Sequence, residues 1–215
     1  MAGILKVDQV QSDSNLAFAI AGSNVAFMNA TSLQMVGSNV SLAGTNVITN
    51  GKVVASGMPI GSVLQVVQYN YTGATTIATG SYVSLPITVN ITPSSASSKI
   101  LVRVVVHCGM TGGNEGLHGQ LWRNGSVVTG ALGAASASRD QAWFHCGSHY
   151  TNSEQYAAAA EYLDSPASTS TQTYTVYARG HSASYPININ TNESDADTGT
   201  TSRTVSTITL MEIAG

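Results

Sequence analysis

After Gly61, apolar and polar positions alternate with a period of two along most of the chain, most clearly from Lys99 to Cys108. There Ile100, Val102, Val104, Val106 and Cys108 share one face, and Leu101, Arg103, Val105 and His107 share the other. Successive side chains of an extended strand point to opposite faces, so the first set predicts a core-facing strand. The same alternation predicts strands over Val63 to Tyr69, Tyr82 to Ile91, Gly116 to Trp122, Ala142 to Cys146, Thr173 to Arg179, Tyr185 to Asn190 and Thr204 to Ile213. Asn124-Gly125 predicts a two-residue hairpin turn, because both central residues of such a turn need positive φ. Pro86 cannot donate to a ladder and marks an edge or a bulge. Ser153 to Tyr162 has the alanine content of a short helix, but as a strand it would place Tyr156, Ala158, Ala160 and Tyr162 on one face; its surroundings favour the strand. Strands at this spacing without intervening helices indicate a β-sandwich or jelly roll.

The first part of the chain follows a different rule. Ser14-Asn-Leu16, Ser23-Asn-Val25, Thr31-Ser-Leu33, Ser38-Asn-Val40, Thr45-Asn-Val47 and Asn50-Gly-Lys-Val53 each set a polar turn pair before a branched apolar residue. Small turn residues at these intervals predict very short strands, which cannot bury a face alone. Three identical chains wound together can, so residues 15–60 are expected to form a repeat-built trimeric stem with Leu16, Val25, Leu33, Val40 and Val47 turned toward the neighbouring chains. Residues 1–14 are expected to anchor the protein, and residues 61–215 to form a sandwich head. In the last predicted strand both faces carry large apolar residues, so one is expected to join the core and the other, with Met211 and Ile213, to meet neighbouring chains.

Composition narrows the function. Only 9% of residues are charged, 43% are apolar and the formal net charge is −3, so the chain can bury a core and keeps itself soluble with hydroxyls and amides. The eight Lys plus Arg are scattered singly, which gives no footprint for nucleic acid. No apolar run reaches membrane-spanning length, and no secretory signal is visible at the start. Two cysteines, Cys108 and Cys146, make no disulfide framework. These features together fit assembly in a reducing cytoplasm.

Candidate chemistry is sparse. No paired carboxylates, nucleophile elbow or phosphate loop is present, so no catalytic residue, cofactor or metal is expected. His-Cys occurs twice, at 107–108 and 145–146, but adjacent strand residues face opposite ways, so a mixed His/Cys metal site within one strand is not expected. The acidic run Asn192-Glu-Ser-Asp-Ala-Asp197 lacks the spacing of a hand-type calcium loop and predicts a solvated turn. Trp122, Trp143 and the tyrosines at 150, 156, 162, 174, 177 and 185 are candidates for a sugar-stacking surface, though strand aromatics are more often packing residues. The loops Gly109 to Gly116 and Asn190 to Thr200 are the candidate recognition elements, with Asn114, Glu115, Asn192, Glu193, Asp195 and Asp197 as the residues to watch.

The opening Met1-Ala-Gly-Ile-Leu-Lys-Val-Asp8, the stretch Tyr162-Leu-Asp-Ser-Pro166 followed by Thr173-Tyr-Thr-Val-Tyr-Ala-Arg179, and the ending Arg203-Thr-Val-Ser-Thr-Ile-Thr-Leu-Met-Glu-Ile-Ala214 resemble fibre and surface proteins of marine tailed phages, including cyanophages. The resemblance implies a homotrimer with a jelly-roll head of the TNF-like kind, carried in the virion after assembly in the host cytoplasm. It implies other virion proteins (capsid, portal or tail) as partners and no catalytic motif. A host-surface glycan or protein is a further candidate partner. The stem is short, which fits a short fibre or surface spike. Two other functions are consistent with the same residues: a capsid decoration or cement protein, and a lectin-like binding module.

Overall fold

A computed structural model of the chain describes residues 16–20, 23–28, 33–35, 39–42, 45–49, 52–53, 55–110, 116–147 and 154–215. Among these residues there is no α-helix, and the chain divides into two compact units, 1–58 and 59–215.

The first unit holds six short strands: β1 (Leu16–Ile20), β2 (Ser23–Met28), β3 (Leu33–Met35), β4 (Asn39–Leu42), β5 (Thr45–Thr49) and β6 (Lys52–Val53). They form two antiparallel three-stranded sheets, β1–β2–β3 and β4–β5–β6. The pairing within the chain redefines the sequence repeat. Its true unit is a three-stranded meander that occurs twice, so Ala21-Gly-Ser-Asn-Val25 recurs as Ala43-Gly-Thr-Asn-Val47. Both copies carry a register shift in their first strand, between Phe18 and Ala19 and between Val40 and Ser41. Leu16, Val25, Leu33, Val40 and Val47 each lie in one of these strands.

The second unit is a two-sheet β-structure. Its strands are β7 (Val63–Tyr71), β8 (Thr75–Ile77), β9 (Val83–Ile91), β10 (Lys99–Met110), β11 (Leu117–Arg123), β12 (Ser126–Val127), β13 (Phe144–Cys146), β14 (Tyr156–Asp164), β15 (Gln172–Arg179), β16 (Ile187–Ile189) and β17 (Ser206–Ile213). In the first sheet β10 is central. One of its edges pairs with β14; the other pairs with β17 and then, beyond Val105, with β16. β7 lies outside β17 and β8 outside β16. In the second sheet β11 pairs with β15 on one edge and with β12 and β13 on the other, and β9 lies outside β15. All of these pairings are antiparallel.

The inner faces follow the period-two pattern. Ile100, Val102, Val104, Val106 and Cys108 of β10 are all 0% exposed, and they share one core with Leu85, Ile87 and Val89 of β9, Leu121 of β11 and Val176 of β15. The alanine run is strand, as its surroundings predict. Ala158 and Ala160 pair with Val106 and Val104, so tertiary pairing overrides local helix propensity. Asn124 and Gly125 have φ of +51° and +80°, which gives the hairpin turn its required backbone. Pro86 sits on edge strand β9, where the register against β15 shifts between Thr175 and Tyr177.

The structure departs from the sequence expectation in several places: β8 has no predicted counterpart, and β10 runs on through Gly109 and Met110, which were expected to begin a recognition loop. The strand predicted from Ala142 begins only at Phe144, although the Trp143 amide already donates to Gly119 O at 2.7 Å as the chain enters the ladder. The strand predicted from Tyr185 is reduced to Ile187–Ile189, following Pro186, which has no amide to donate.

Buried polar groups close the rims of the unit. Glu212, fully buried on β17, accepts from Gln65 Nε2 at 2.6 Å and from the Ser94 amide and hydroxyl at 2.7 and 2.6 Å. Burial alone would raise its pKa, but the donors from Ser94 and Gln65 hold it below the usual carboxylate range. At the same register, on the other side of Ile100, Asp164 of β14 accepts from Tyr174 Oη at 2.7 Å and pairs with Arg123, joining the first sheet to the second.

A folded-state pKa below the unfolded value, roughly 4.3 for Glu, means that Glu212 adds stability above that value and loses it as pH falls through its own pKa. Glu212→Gln is expected to lower the urea unfolding free energy by about 2 kcal/mol at pH 7. It should also flatten the decline of stability below the carboxylate range, measured by urea titrations between pH 7 and pH 3.

Candidate functional site

Neither outer face of the second unit is generic. On β17 the side chains of Ser206, Ile208, Leu210 and Glu212 are buried, which turns Thr207, Thr209, Met211 and Ile213 to the outside of the first sheet. At the register of Met211 an apolar row crosses four strands: Val66 pairs with Met211, Met211 with Leu101, and Leu101 with Leu163. Val66 and Leu163, at its two ends, are 55% and 45% exposed. Ile213 pairs with exposed Val63 beside this row. Charge flanks the row on both sides, with Lys99 paired to Ile213 and Arg103 paired to Glu161 across β10 and β14. Met211 and Ile213 therefore belong to an apolar outward face, which the doubly apolar pattern of the last strand foretold.

The outside of the second sheet is polar and aromatic. Alternation along β11 presents His118, Gln120 and Trp122, and alternation along β15 presents Tyr177 and Arg179. The segment before β13 supplies Asp140, whose Oδ2 accepts from His118 Nδ1 at 2.8 Å, from Tyr82 Oη at 2.9 Å and from Arg179 Nε. Arg179 also donates to Gly80 O at 2.9 Å. Gln120 donates to Gln141 O at 2.9 Å and accepts from Trp122 Nε1 at 3.1 Å. The Trp122 and Tyr177 rings stack at 4.0 Å and 15°.

The charges in this network are fixed by their neighbours. Burial would raise the Asp140 pKa, but donors from Arg179, Tyr82 and His118 hold it below the usual range. Burial and then the Asp140 carboxylate push the Tyr82 phenol up to about 12. His145, paired across the ladder with His118 and edge-on to it at 4.9 Å, is pushed down by burial and by its neighbour. An anchored carboxylate, amide groups and an aromatic stack on one rigid sheet can offer hydrogen bonds and a flat apolar surface to a hydroxyl-rich ligand.

Of the sequence-singled aromatics, only Trp122 and Tyr177 meet on this face. Tyr174 is fully buried, Trp143 tilts against Phe144 at 6.0 Å, and Tyr156 and Tyr162 pack against the core. Tyr185 lies parallel to His181 at 6.5 Å, and Tyr150 is outside the described residues. Asp140 carried no sequence signal, since it lies in an irregular segment with no periodicity.

The candidate recognition residues divide. Asn114 and Glu115 lie outside the described residues. Asn192 is turned inward at 1% exposure, seated on Gly109 of β10, where an added Cβ would come within 2.5 Å of the Asn192 backbone. It shapes the loop rather than presenting a surface. Glu193 is half-buried, while Asp195 and Asp197 are exposed and line a cleft of about 430 Å³ with Thr198, Thr201, Ser202 and Arg203. Asp195 is bound by Arg203 at 3.0 and 2.5 Å and by Thr191 Oγ1 at 2.8 Å, which leaves its carboxylate engaged. Among the described residues, no group of three His, Cys, Asp or Glu is placed to hold a metal ion, and no helix is long and apolar enough to cross a membrane. Neither a protein-family model nor a curated protein matches the chain.

Asp140→Asn removes the anion that Arg179, Tyr82 and His118 share. It is expected to cost about 1–2 kcal/mol, moderated by partial solvent screening. It should also lower the Tyr82 phenol from about 12 part of the way to its ordinary value of 10.0, since burial, the larger cause, remains, read by tyrosinate absorbance across an alkaline titration.

Proposed function

We propose that this protein is a non-catalytic structural component of a phage particle, acting as a homotrimer in a short fibre or surface spike. The carrying observation is the apolar row Val66–Met211–Leu101–Leu163 on the outside of the first sheet. Contiguous apolar surface of this kind marks a contact with another protein. A rigid sheet can present it identically in every copy, as closed symmetry requires. A jelly-roll reading of the head is supported by the chain path. After β8, the long strands β9, β10, β11, β14, β15 and β17 alternate between the second sheet and the first. The resemblance of the opening, of residues 162–179 and of the ending to phage fibre proteins supplies the particle context, with capsid, portal or tail proteins as partners and the virion as the location.

In this role the meander unit forms the stem and the head is held outward. Trimerisation multiplies weak contacts with a host surface by effective concentration, so no deep pocket is needed. A lectin-like role is the second reading, favoured by the Trp122–Tyr177 stack beside Asp140. It predicts glycan binding by isolated protein that Trp122→Ala abolishes.

Gel-band stoichiometry against the major capsid protein in purified particles tests the leading reading. A spike is present in a small number of copies at the tail or a vertex. Copy numbers that scale with the capsomers indicate decoration instead, and absence from particles overturns both. Val66→Asp with Leu163→Asp, at positions exposed enough to cost the fold less than about 1 kcal/mol each, is expected to keep the β-sheet circular dichroism of the protein but lose its incorporation.

A further inference from the structure

The deepest chemistry in the head lies between its sheets. Cys108 lies in the inner row of β10 in the first sheet, two residues before the strand ends at Met110, and Cys146 ends β13 in the second. They are 0% and 4% exposed, and their sulfurs are 3.0 Å apart, with the Cys108 thiol donating to Cys146. Both are free thiols and the chain has no other cysteine. No ladder hydrogen bond joins the two strands, so the thiol pair is a direct link between sheets otherwise held here by packing.

We propose that Cys108 and Cys146 are a built oxidation site, which a small disulfide such as oxidised glutathione converts into an intersheet cross-link. Three features of the fold support it. The sulfurs already face each other, and closing to bonding distance asks for a shift of about 1 Å from strands that end near them. β13 is three residues long and, among the described residues, pairs only with Leu117–Gly119, so its local opening is expected to cost little. The roles of the two thiols also differ. The bond from Cys108 holds the Cys146 pKa below its ordinary value, and the same bond, then burial, pushes Cys108 above its own. Cys146, carried on the short strand that opens and 4% exposed against 0% for Cys108, is therefore the attacking thiolate.

The exchange balances without any further reagent. The Cys146 thiolate attacks one sulfur of oxidised glutathione, the glutathione S–S bond breaks, and one glutathione leaves and takes up a proton. Cys108, as its proton passes to solvent, attacks the Cys146 sulfur and displaces the second glutathione. Two protein thiols are oxidised, one small disulfide is reduced to two thiols, and the protein loses two hydrogens. Chain made under reducing conditions folds with the pair open. After transfer to an oxidising medium the two sheets become joined covalently, independently of any role in a particle.

The test uses the full wild-type chain. Folded protein is equilibrated with oxidised glutathione, quenched in acid, alkylated and weighed intact, beside a urea-unfolded control. The expected result is a monomeric chain lighter by about 2 Da that takes up no alkylating agent, has unchanged far-ultraviolet circular dichroism, and melts roughly 5–10 °C higher than the reduced form. Two free thiols in folded protein, under conditions where the unfolded control closes, overturn the proposal. So do a persistent glutathione adduct, a disulfide-linked dimer, or a closed form that melts no higher than the reduced one. Cys146→Ser serves as the blank. Its remaining Cys108 must stay alkylatable after denaturation, and its melting point must not respond to oxidised glutathione.

Discussion

The head depends on covering one strand. β10 carries five consecutive inward side chains with no exposure at all, so it needs hydrogen-bonded neighbours along both edges and a second sheet across its face. β14 and β17 satisfy the edges, and β9, β11 and β15 provide the opposite wall of the same core. Burying apolar area drives this closure without directing it. Direction comes from polar groups placed where the layers end. Glu212 fastens β17 to the segment after β9, Asp164 joins β14 to Tyr174 and Arg123, and Cys108 touches Cys146 across the interior. The two carboxylates would be costly to bury unpartnered, so each restricts how the two sheets can be aligned.

This division explains what was legible in the sequence. Period-two alternation is an unambiguous signal where a strand has a fully buried face, and the core residues of β10, β9 and β17 follow from it directly. Asn124-Gly125 and Pro86 were legible for a separate reason, because their backbone chemistry admits few geometries. Short elements were not. Thr75–Ile77 is strand because Ile187–Ile189 lies beside it, and three residues hold too little pattern to reveal a partner more than a hundred positions away. The repeat in the first unit was visible, but its unit was not, because a meander is defined by pairing and the eye counts turns.

The outer surfaces show the same contrast. Met211 and Ile213 were recognisable because an apolar residue on the wrong face of a strand contradicts the alternation. The Asp140 network was hidden. It gathers Tyr82, His118, Arg179 and an irregular segment that approach only through the ladders β11–β15 and β15–β9. Asn192 had the composition of a surface loop residue, yet its loop folds back over Gly109 and buries it. One sheet thus carries an apolar row on its outside, flanked by charged and hydroxyl side chains, and the other carries anchored polar and aromatic ones.

Self-association through the first sheet is the claim on which the particle role rests, and sedimentation equilibrium of the full chain at micromolar concentration tests it most directly. The account predicts a single species of three times the 22.2 kDa chain mass. A well-folded species that stays at 22.2 kDa across that range would contradict it.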